Sequence, residues 1–161
     1  MRVSLALISL VTFLLFVLWV QTKDSPVTLT RFEGCATTLC CKNCNSLRVT
    51  SIIDGDTFNS TAGTVRLFGI NTPEKGHPCF SEAKRKLTEL AGNTIRVEKG
   101  PRRLDSHGRL LFYTYTEQGE SIDEIMVTEG LAHAWVLDGQ HVNILKMAEA
   151  AALGNSTGCL W

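Results

Sequence analysis

Three short stretches of the sequence concentrate residue types that suit metal and phosphate chemistry. They are DGDT at 54–57, RLFGINTPE at 66–74 and DSHGR at 105–109. A hard divalent cation takes several oxygen ligands. Asp56, Asn71 and Thr72 can offer it a carboxylate, an amide oxygen and a backbone oxygen. These three residues are therefore candidate metal ligands.

Two arginines and a glutamate in the same stretches are candidates for holding and attacking a phosphate. A planar guanidinium matches two phosphate oxygens, so Arg66 and Arg109 could hold a pentacovalent phosphorus from different sides. Glu74 would then lie beside the metal. Each stretch also has a purely structural interpretation, because Asp-Gly-Asp-Thr is a common turn and a strand arginine can simply pair with a surface acid.

The elements that must position these residues begin as strands. Short runs rich in branched and aromatic residues, separated by Gly, Asp and Asn, are typical of strands joined by turns. The predicted strands are 47–53, 57–59, 64–70, 94–98 and 108–116. Two of the three stretches therefore lie on or beside early strands, and the third precedes the last strand.

Three helices complete the pattern. The run SEAKRKLTELAG places Ala83 and Leu87 on one face, so it predicts a helix that Ser81 can cap and Gly92 ends. Further helices are predicted over 121–129 and about 141–153. Strands first, with helices inserted and appended, predict an α+β fold built on a small five-stranded β-barrel with about three helices.

The N-terminus is strongly apolar. The eighteen residues from Val3 to Val20 carry no charge, and a helix of that length spans about 27 Å of hydrocarbon. Small residues typical of a signal cleavage site are absent from its end, while Trp19 suits a membrane interface, which favours an uncleaved anchor over a cleaved signal. Residues 1–22 are thus predicted to be a transmembrane or signal segment. The remainder is expected outside the cytoplasm, anchored by a single pass or secreted.

Cysteine usage agrees with an oxidising compartment. The six cysteines are at positions 35, 40, 41, 44, 79 and 159. Disulfides are favoured over a zinc site, because paired CxxC spacing is missing and adjacent Cys40 and Cys41 are awkward ligands for one tetrahedral ion. The sequence does not choose among the pairings, of which Cys79 with Cys159 would tie the barrel to the C-terminus. Residues 23–46 are interpreted as a cysteine-rich linker and 47–161 as the domain.

Charge is uneven although the formal net charge is zero. Residues 75–109 carry nine basic residues against four acidic ones, whereas 110–161 carry one against seven. The run 84–86 is typical of a solvated helix face. Four basic residues cluster around a loop, where they are candidates for attracting phosphate: Lys99, Arg102, Arg103 and Arg109.

The motifs follow an order typical of one family. IIDGDT, VRLFGINTPE, an EAK helix, DSHGRLL and a GLA segment resemble, in order and spacing over 47–161, the thermonuclease family, or staphylococcal nuclease-like domain. The resemblance implies an oligonucleotide-binding-type barrel and calcium-dependent hydrolysis of single-stranded DNA and RNA. It implies Ca²⁺ ligation by Asp56, Asn71 and Thr72, and catalytic roles for Arg66, Glu74 and Arg109.

The sequence departs from that family pattern at three places. Asn71 stands where the best-studied member has an aspartate, which should weaken calcium binding while keeping an oxygen ligand. The loop after Glu74 is short, so substrate contacts made by a longer loop there would be missing. Base-stacking tyrosines near the GLA segment are not matched, and Trp135 is either an aromatic platform or a core residue.

The resulting expectation is a monomeric endonuclease in which Glu74 either takes a proton from the attacking water or orients it. Products with 3′-phosphates are implied by the resemblance. One alternative is a catalytically weak barrel that binds nucleic acid or protein at the cell surface, against which the presence of Arg66, Glu74 and Arg109 together argues. A disulfide-rich surface adhesin is the other alternative, and it explains the cysteines but not the site.

Overall fold

The computed structural model describes residues 34–161 of the chain. The predicted anchor or signal segment, 1–22, and the first part of the predicted linker lie outside these residues. Among the described residues, no helix is long and apolar enough to cross a membrane.

Five strands close into a barrel, and three helices accompany it. The elements are β1 (Asn45–Ile52), β2 (Thr57–Ser60), β3 (Gly63–Leu67), β4 (Ile70–Asn71), α1 (Phe80–Ala91), β5 (Thr94–Leu104), β6 (Leu110–Tyr115), α2 (Ile122–Thr128), β7 (His133–Ala134) and α3 (Val142–Gly154). The barrel order is β1-β2-β3-β6-β5. Neighbouring barrel strands are antiparallel except β3 and β6, which run parallel. The expected α+β fold, with its five-stranded oligonucleotide-binding-type barrel and three helices, is confirmed.

Strand β6 separates two apolar clusters, because successive side chains of a strand point to opposite faces. Phe112 packs against the larger cluster, which joins the barrel interior to α1 and α2. Tyr113 and Tyr115 belong to the smaller cluster, together with Leu145 of α3. The site-bearing strand β3 pairs with β6, so it is anchored in the middle of the hydrophobic structure.

The third predicted strand, 64–70, is interrupted at Phe68-Gly69, where β3 ends and β4 begins. A Cβ on Gly69 would lie 2.5 Å from Leu145 Cδ1 and 2.9 Å from Asp123 Oδ1, so only glycine fits. Fully buried Asp123 accepts hydrogen bonds from the Gly69 amide at 3.0 Å and from the amide and hydroxyl of Thr114, each at 2.9 Å. Beyond the break, β4 pairs with β7 in a two-stranded sheet that the sequence did not predict.

Helix α1 begins one residue before the predicted cap. Ser81 lies inside the helix, so its predicted capping role is wrong. Cys79 occupies the N-cap position with φ 69°, and its side chain makes no capping hydrogen bond. That side chain is bonded instead to Cys159, which ties the helix start to the C-terminal segment.

The described part of the predicted linker is 34–46, of which 34–44 pack against the domain and the last two residues belong to β1. Leu39 is buried in the smaller cluster, and its amide donates to Glu124 Oε2 at 2.7 Å. The Cys41 amide donates to the Gly119 carbonyl at 2.8 Å. The segment's four cysteines form the bonds Cys35–Cys40 and Cys41–Cys44. Together with Cys79–Cys159, these bonds place all six cysteines in disulfides. The expectation of disulfides rather than a zinc site is confirmed.

Candidate active site

Asp56 lies in the turn between β1 and β2, where it is 5% exposed. Its Oδ2 accepts hydrogen bonds from the Thr72 amide at 2.9 Å and the Thr72 hydroxyl at 3.1 Å. Gly55 allows this approach, because a Cβ there would lie 2.9 Å from Thr72 Oγ1. The Asp56 amide in turn donates to Asp54 Oδ1 at 3.0 Å. Burial raises the pKa of Asp54, and the neighbouring charge of Asp56 adds to that rise.

Arg66 projects from β3 and is fixed by the break that follows the strand. Its Nη1 donates to the Leu67 carbonyl at 2.8 Å and to the Ile70 carbonyl at 3.0 Å. Its Nη2 donates to Asn71 Oδ1 at 2.8 Å and lies 3.5 Å from Asp56 Oδ2. With its side chain only 13% exposed, this guanidinium is held in one place before any substrate arrives.

Arg109 lies at the end of the β5–β6 turn and is positioned by Asp105. Asp105 accepts from the Arg109 amide at 2.9 Å and from Nε at 2.6 Å. Burial alone would raise the pKa of Asp105, but hydrogen bonds from Arg109 and His107 outweigh it and leave that pKa below its usual value. The Arg109 side chain is 30% exposed, so it remains available to a ligand.

Thr57 connects the two halves of the site. Its hydroxyl donates to Asp56 Oδ1 at 2.9 Å and lies 3.4 Å from Arg109 Nη1. The parallel pairing of β3 with β6 places Arg66 opposite Leu111, two residues after Arg109. The fold therefore brings together five of the predicted site residues: Asp56, Arg66, Asn71, Thr72 and Arg109.

Two cavities adjoin the contact between Arg66 and Asn71, and each is lined by one of these two residues. The smaller, the arginine cavity, measures about 270 Å³ and is lined by Arg66, Phe68, Arg102, Asp105, Ser106, His107, Arg109, Leu111 and Trp135. The larger, the Glu74 cavity, measures about 540 Å³ and is lined by Asn71, Thr72, Pro73, Glu74, His77, Pro78, Cys79, His133, Cys159 and Leu160. Glu74, the sixth predicted site residue, thus lines a different cavity from the two arginines.

Glu74 is exposed on the loop between β4 and α1. The amide of His77 donates to its backbone carbonyl at 3.0 Å, which makes a turn of this short loop. Among the described residues, no hydrogen bond or ion pair joins the Glu74 carboxylate to Arg66 or Arg109. The side chain is therefore at the edge of the site, open to solvent.

The oxygens proposed as metal ligands suit a hard cation. Asp56 Oδ2 and Asn71 Oδ1 converge on one nitrogen of Arg66, at 3.5 and 2.8 Å, which shows that both can face a single positive centre. A carboxylate with neutral amide and carbonyl oxygens is a donor set that Ca²⁺ accepts, with water completing the shell. Across residues 34–161, no three or more His, Cys, Asp or Glu side chains are grouped in a way that could hold a metal ion. The proposed ligand set therefore relies on a single carboxylate, that of Asp56, together with neutral oxygens.

Trp135 packs against the smaller apolar cluster and also lines the arginine cavity. It is therefore both a residue at the edge of the core and part of the cavity wall. Its indole nitrogen donates to Asp138 Oδ1 at 2.7 Å, and Arg66 lies over its ring at 5.9 Å from the centroid. Asp138 also pairs with Arg102 at 2.5 Å. The hydrogen bonds from Arg102 and then Trp135 lower the pKa of Asp138. Among the basic loop residues, Arg102 thus joins the cavity wall, whereas Lys99 and Arg103 are exposed outside it.

Sequence reasoning missed three residues that position the site. Thr57 and Asp105 lie within the quoted motifs DGDT and DSHGR, and an aspartate at the start of a Gly-containing turn could have suggested that Asp105 organises the turn that carries Arg109. Asp138 carried no such signal, because its partners Arg102 and Trp135 meet it only after the chain folds.

Comparison with known proteins agrees with this geometry. A family model described as staphylococcal nuclease homologue matches residues 64–161. An uncharacterized endonuclease of Escherichia coli O157:H7 is 30% identical over 120 residues, covering 71% of this chain and 75% of that protein. An uncharacterized endonuclease of Escherichia coli matches with the same identity and coverage. The chain therefore belongs to the staphylococcal nuclease homologue family.

Proposed function

We propose that this protein is a calcium-dependent endonuclease that hydrolyses phosphodiester bonds in DNA and RNA, with a preference for single strands. The observation that supports this most is the linked set of Asp56, Arg66 and Arg109, in which two guanidiniums and one carboxylate meet at an opening of the barrel. Family membership and the two endonuclease relatives support the same reaction class.

The arginines carry the proposed stabilisation of the transition state. Attack on a phosphodiester adds negative charge to the phosphoryl oxygens, and preformed cations lower the barrier because they need no reorganisation. Arg66 is held by two carbonyls and Arg109 by Asp105, so both guanidiniums are prepared in this sense. Arg109 keeps Nη atoms for a phosphate, since Asp105 engages its Nε.

Glu74 is the proposed partner of the attacking water. Its exposed side chain lines the Glu74 cavity, where the carboxylate can accept a water proton or orient the water. The water oxygen forms the new bond to phosphorus, and the bond from phosphorus to the 5′-oxygen breaks. The departing oxygen takes a proton from solvent, and the other product retains a 3′-phosphate.

Calcium held by Asp56, Asn71 and the Thr72 backbone oxygen would supply further positive charge beside the phosphate and assist deprotonation of water. Because the set has one carboxylate, we expect its affinity for calcium to be low. A monomer is sufficient for this proposal, since all six proposed residues come from one chain.

The decisive experiment measures acid-soluble nucleotides released from heat-denatured DNA and from RNA by the full chain, with calcium or with a chelator. We expect release only with calcium, and 3′-phosphate ends that phosphatase treatment converts to hydroxyls. Arg85→Ala, at an exposed position of α1 outside both cavities, is the matched control for Arg109→Ala. A folded protein that binds single-stranded DNA but releases nothing at high calcium would establish the binding-module alternative instead.

The proposal includes a location outside the cytoplasm, anchored or released through residues 1–22. The supporting observations are the uncharged run from Val3 to Val20 and the three disulfides of the described domain. Removing the chain before Ser25 should shift the protein from the membrane pellet to the soluble fraction. A truncated protein that still sediments with membranes would contradict the anchor.

A further inference from the structure

The Glu74 cavity is larger than the proposed chemistry requires. At about 540 Å³ it is twice the size of the arginine cavity, at about 270 Å³. A water molecule and one carboxylate fill a small part of that space, whereas the volume falls within the range of small-molecule sites. The cavity therefore has room for a ligand in addition to the attacking water.

Its position identifies the part of the substrate that it faces. Asn71 lines the Glu74 cavity and accepts from Arg66, which lines the arginine cavity. Because both arginines line the arginine cavity, a phosphate on Arg66 and Arg109 would lie at that cavity, and the Glu74 cavity adjoins it through Asn71. A phosphodiester carries a nucleoside on each ester oxygen, so the two cavities offer one place for each nucleoside.

The direction of attack distinguishes the two nucleosides. In an in-line displacement, the attacking water and the leaving oxygen are on opposite sides of phosphorus. Water beside Glu74 approaches from the larger cavity, so the leaving oxygen departs toward Arg109 and the arginine cavity. The retained nucleoside is bonded through an equatorial oxygen, which extends sideways from the axis of attack. With the leaving nucleoside in the arginine cavity, the Glu74 cavity is the one open to the retained nucleoside.

The walls of that cavity suit a nucleobase. His133 is held by Glu149, with Nδ1 and Oε1 2.9 Å apart, and meets Trp161 edge to ring with centroids 5.0 Å apart. His77 and Leu160 add a second ring and an apolar surface, beside the Cys79–Cys159 disulfide. Bases stack on such rings without requiring a particular sequence.

We infer that the Glu74 cavity binds the nucleoside that retains the phosphate after cleavage, so that the minimal good substrate is a dinucleotide spanning both cavities. This inference rests on the proposed nuclease function. Hydrolysis consumes one water, breaks one phosphorus–oxygen bond and leaves the new phosphate monoester on the nucleoside in this cavity.

The test uses the full chain with calcium and three diesters. The first is a dinucleotide, the second replaces the retained nucleoside with methyl, and the third replaces the leaving nucleoside with p-nitrophenol. Leu160→Trp should fill the cavity and raise KM about tenfold for the first and third, because one stacked base is lost. KM for the methyl diester should not change. Leu153→Trp, at an exposed position of α3, is the matched control.

Equal KM values for the methyl diester and the dinucleotide in the unsubstituted protein would overturn the inference, as would an equal rise for all three substrates. If Leu160→Trp has an altered melting temperature, His77→Ala replaces it, with the same pattern expected. Should the unsubstituted protein cleave none of the diesters, the proposed function fails first. Calorimetry with a non-hydrolysable methylene-linked dinucleotide then tests the cavity alone, and equal affinity in unsubstituted protein and Leu160→Trp would refute it.

Discussion

The arginine cavity is lined by Arg66 and the Glu74 cavity by its hydrogen-bond partner Asn71, but the two cavities are built from different kinds of structure. Arg66 and Arg109 stand on or beside paired strands and are fixed by carbonyls and by Asp105. Glu74 stands on a loop whose far end, at Cys79, is bonded to Cys159. The groups that stabilise charge therefore depend on the sheet, whereas the group that positions water depends on one covalent tie.

Removing either arginine should cause the largest loss of turnover among the substitutions considered. Arg66→Ala or Arg109→Ala is expected to lower turnover by about 100- to 1000-fold, because a lost charge contact to the transition state costs about 3 to 4 kcal/mol by analogy with an oxyanion donor. The melting temperature should change little for Arg109→Ala. Steady-state rates on single-stranded DNA measure the loss of turnover, with Arg85→Ala as the control. Wild-type rates for both alanine variants would show that the assigned roles do not apply.

Removing the covalent tie should affect stability first. Cys79→Ser with Cys159→Ser opens a loop with sequence separation 80, whereas Cys41→Ser with Cys44→Ser opens one with separation 3. The chain-entropy relation predicts that the first pair of substitutions costs roughly 3 kcal/mol more than the second. Urea unfolding of both variants gives the difference. Turnover should also fall in the first variant, because the Glu74 loop loses its fixed end.

The opposite outcome would be equal destabilisation by the two pairs, with turnover unchanged in both. The Glu74 loop would then be held by its own turn and by the β4–β7 sheet, and the contrast between the two cavities would disappear.

Asp123 supports the strand that carries Arg66, because it accepts a hydrogen bond from the Gly69 amide in the break between β3 and β4. Burial raises its pKa to about 6 from the ordinary value of 3.8. The folded state binds this proton more tightly, so the carboxyl's contribution to stability declines as pH rises from about 4 to 6 and is constant above. Relative to Asp123→Asn, the wild type should lose roughly 2 to 3 kcal/mol between pH 4 and pH 7.

Urea unfolding at several pH values measures this difference, and the variant itself is expected to be less stable at pH 4, because its amide group meets a backbone donor. Parallel stability profiles for the two proteins would mean that Asp123 titrates normally. The hydrogen bonds from Gly69 and Thr114 would in that case offset the whole cost of burying the charged carboxylate.

The smallest expected effect is on the calcium concentration that the enzyme requires. Asn71→Asp adds a carboxylate beside Asp56 and should lower the calcium concentration for half-maximal activity by about tenfold, with little change at saturating calcium. Asn59→Asp adds the same charge on β2 and controls for net charge. There the amide nitrogen of Asn59 donates a hydrogen bond to the hydroxyl of Ser51. An unchanged calcium requirement in Asn71→Asp would argue against Asn71 as a ligand.

The barrel was predictable because its strands and helices have clear periodicity and turn residues, and the site was predictable because its motifs lie on them. The break at Gly69 was not, since a run of branched residues continues through it and the reason for the break is Asp123, 54 positions away. Two-residue strands such as β4 and β7 have no detectable period. The packing of 34–44 depends on Glu124 and Gly119, which no local pattern connects to Leu39 or Cys41.

The Cys79–Cys159 bond has a consequence for proteolysis. Arg102 and Arg103 are exposed at the end of β5, next to the turn that leads to β6, where a trypsin-like protease would find accessible bonds. A cut after Arg103 divides the domain into 34–103 and 104–161, yet each fragment keeps one cysteine of the bond. The two fragments would stay attached, and their reassociation would be unimolecular, at an effective concentration of about millimolar or above. A nicked molecule can thus recover its barrel at dilutions where separate fragments would not find each other.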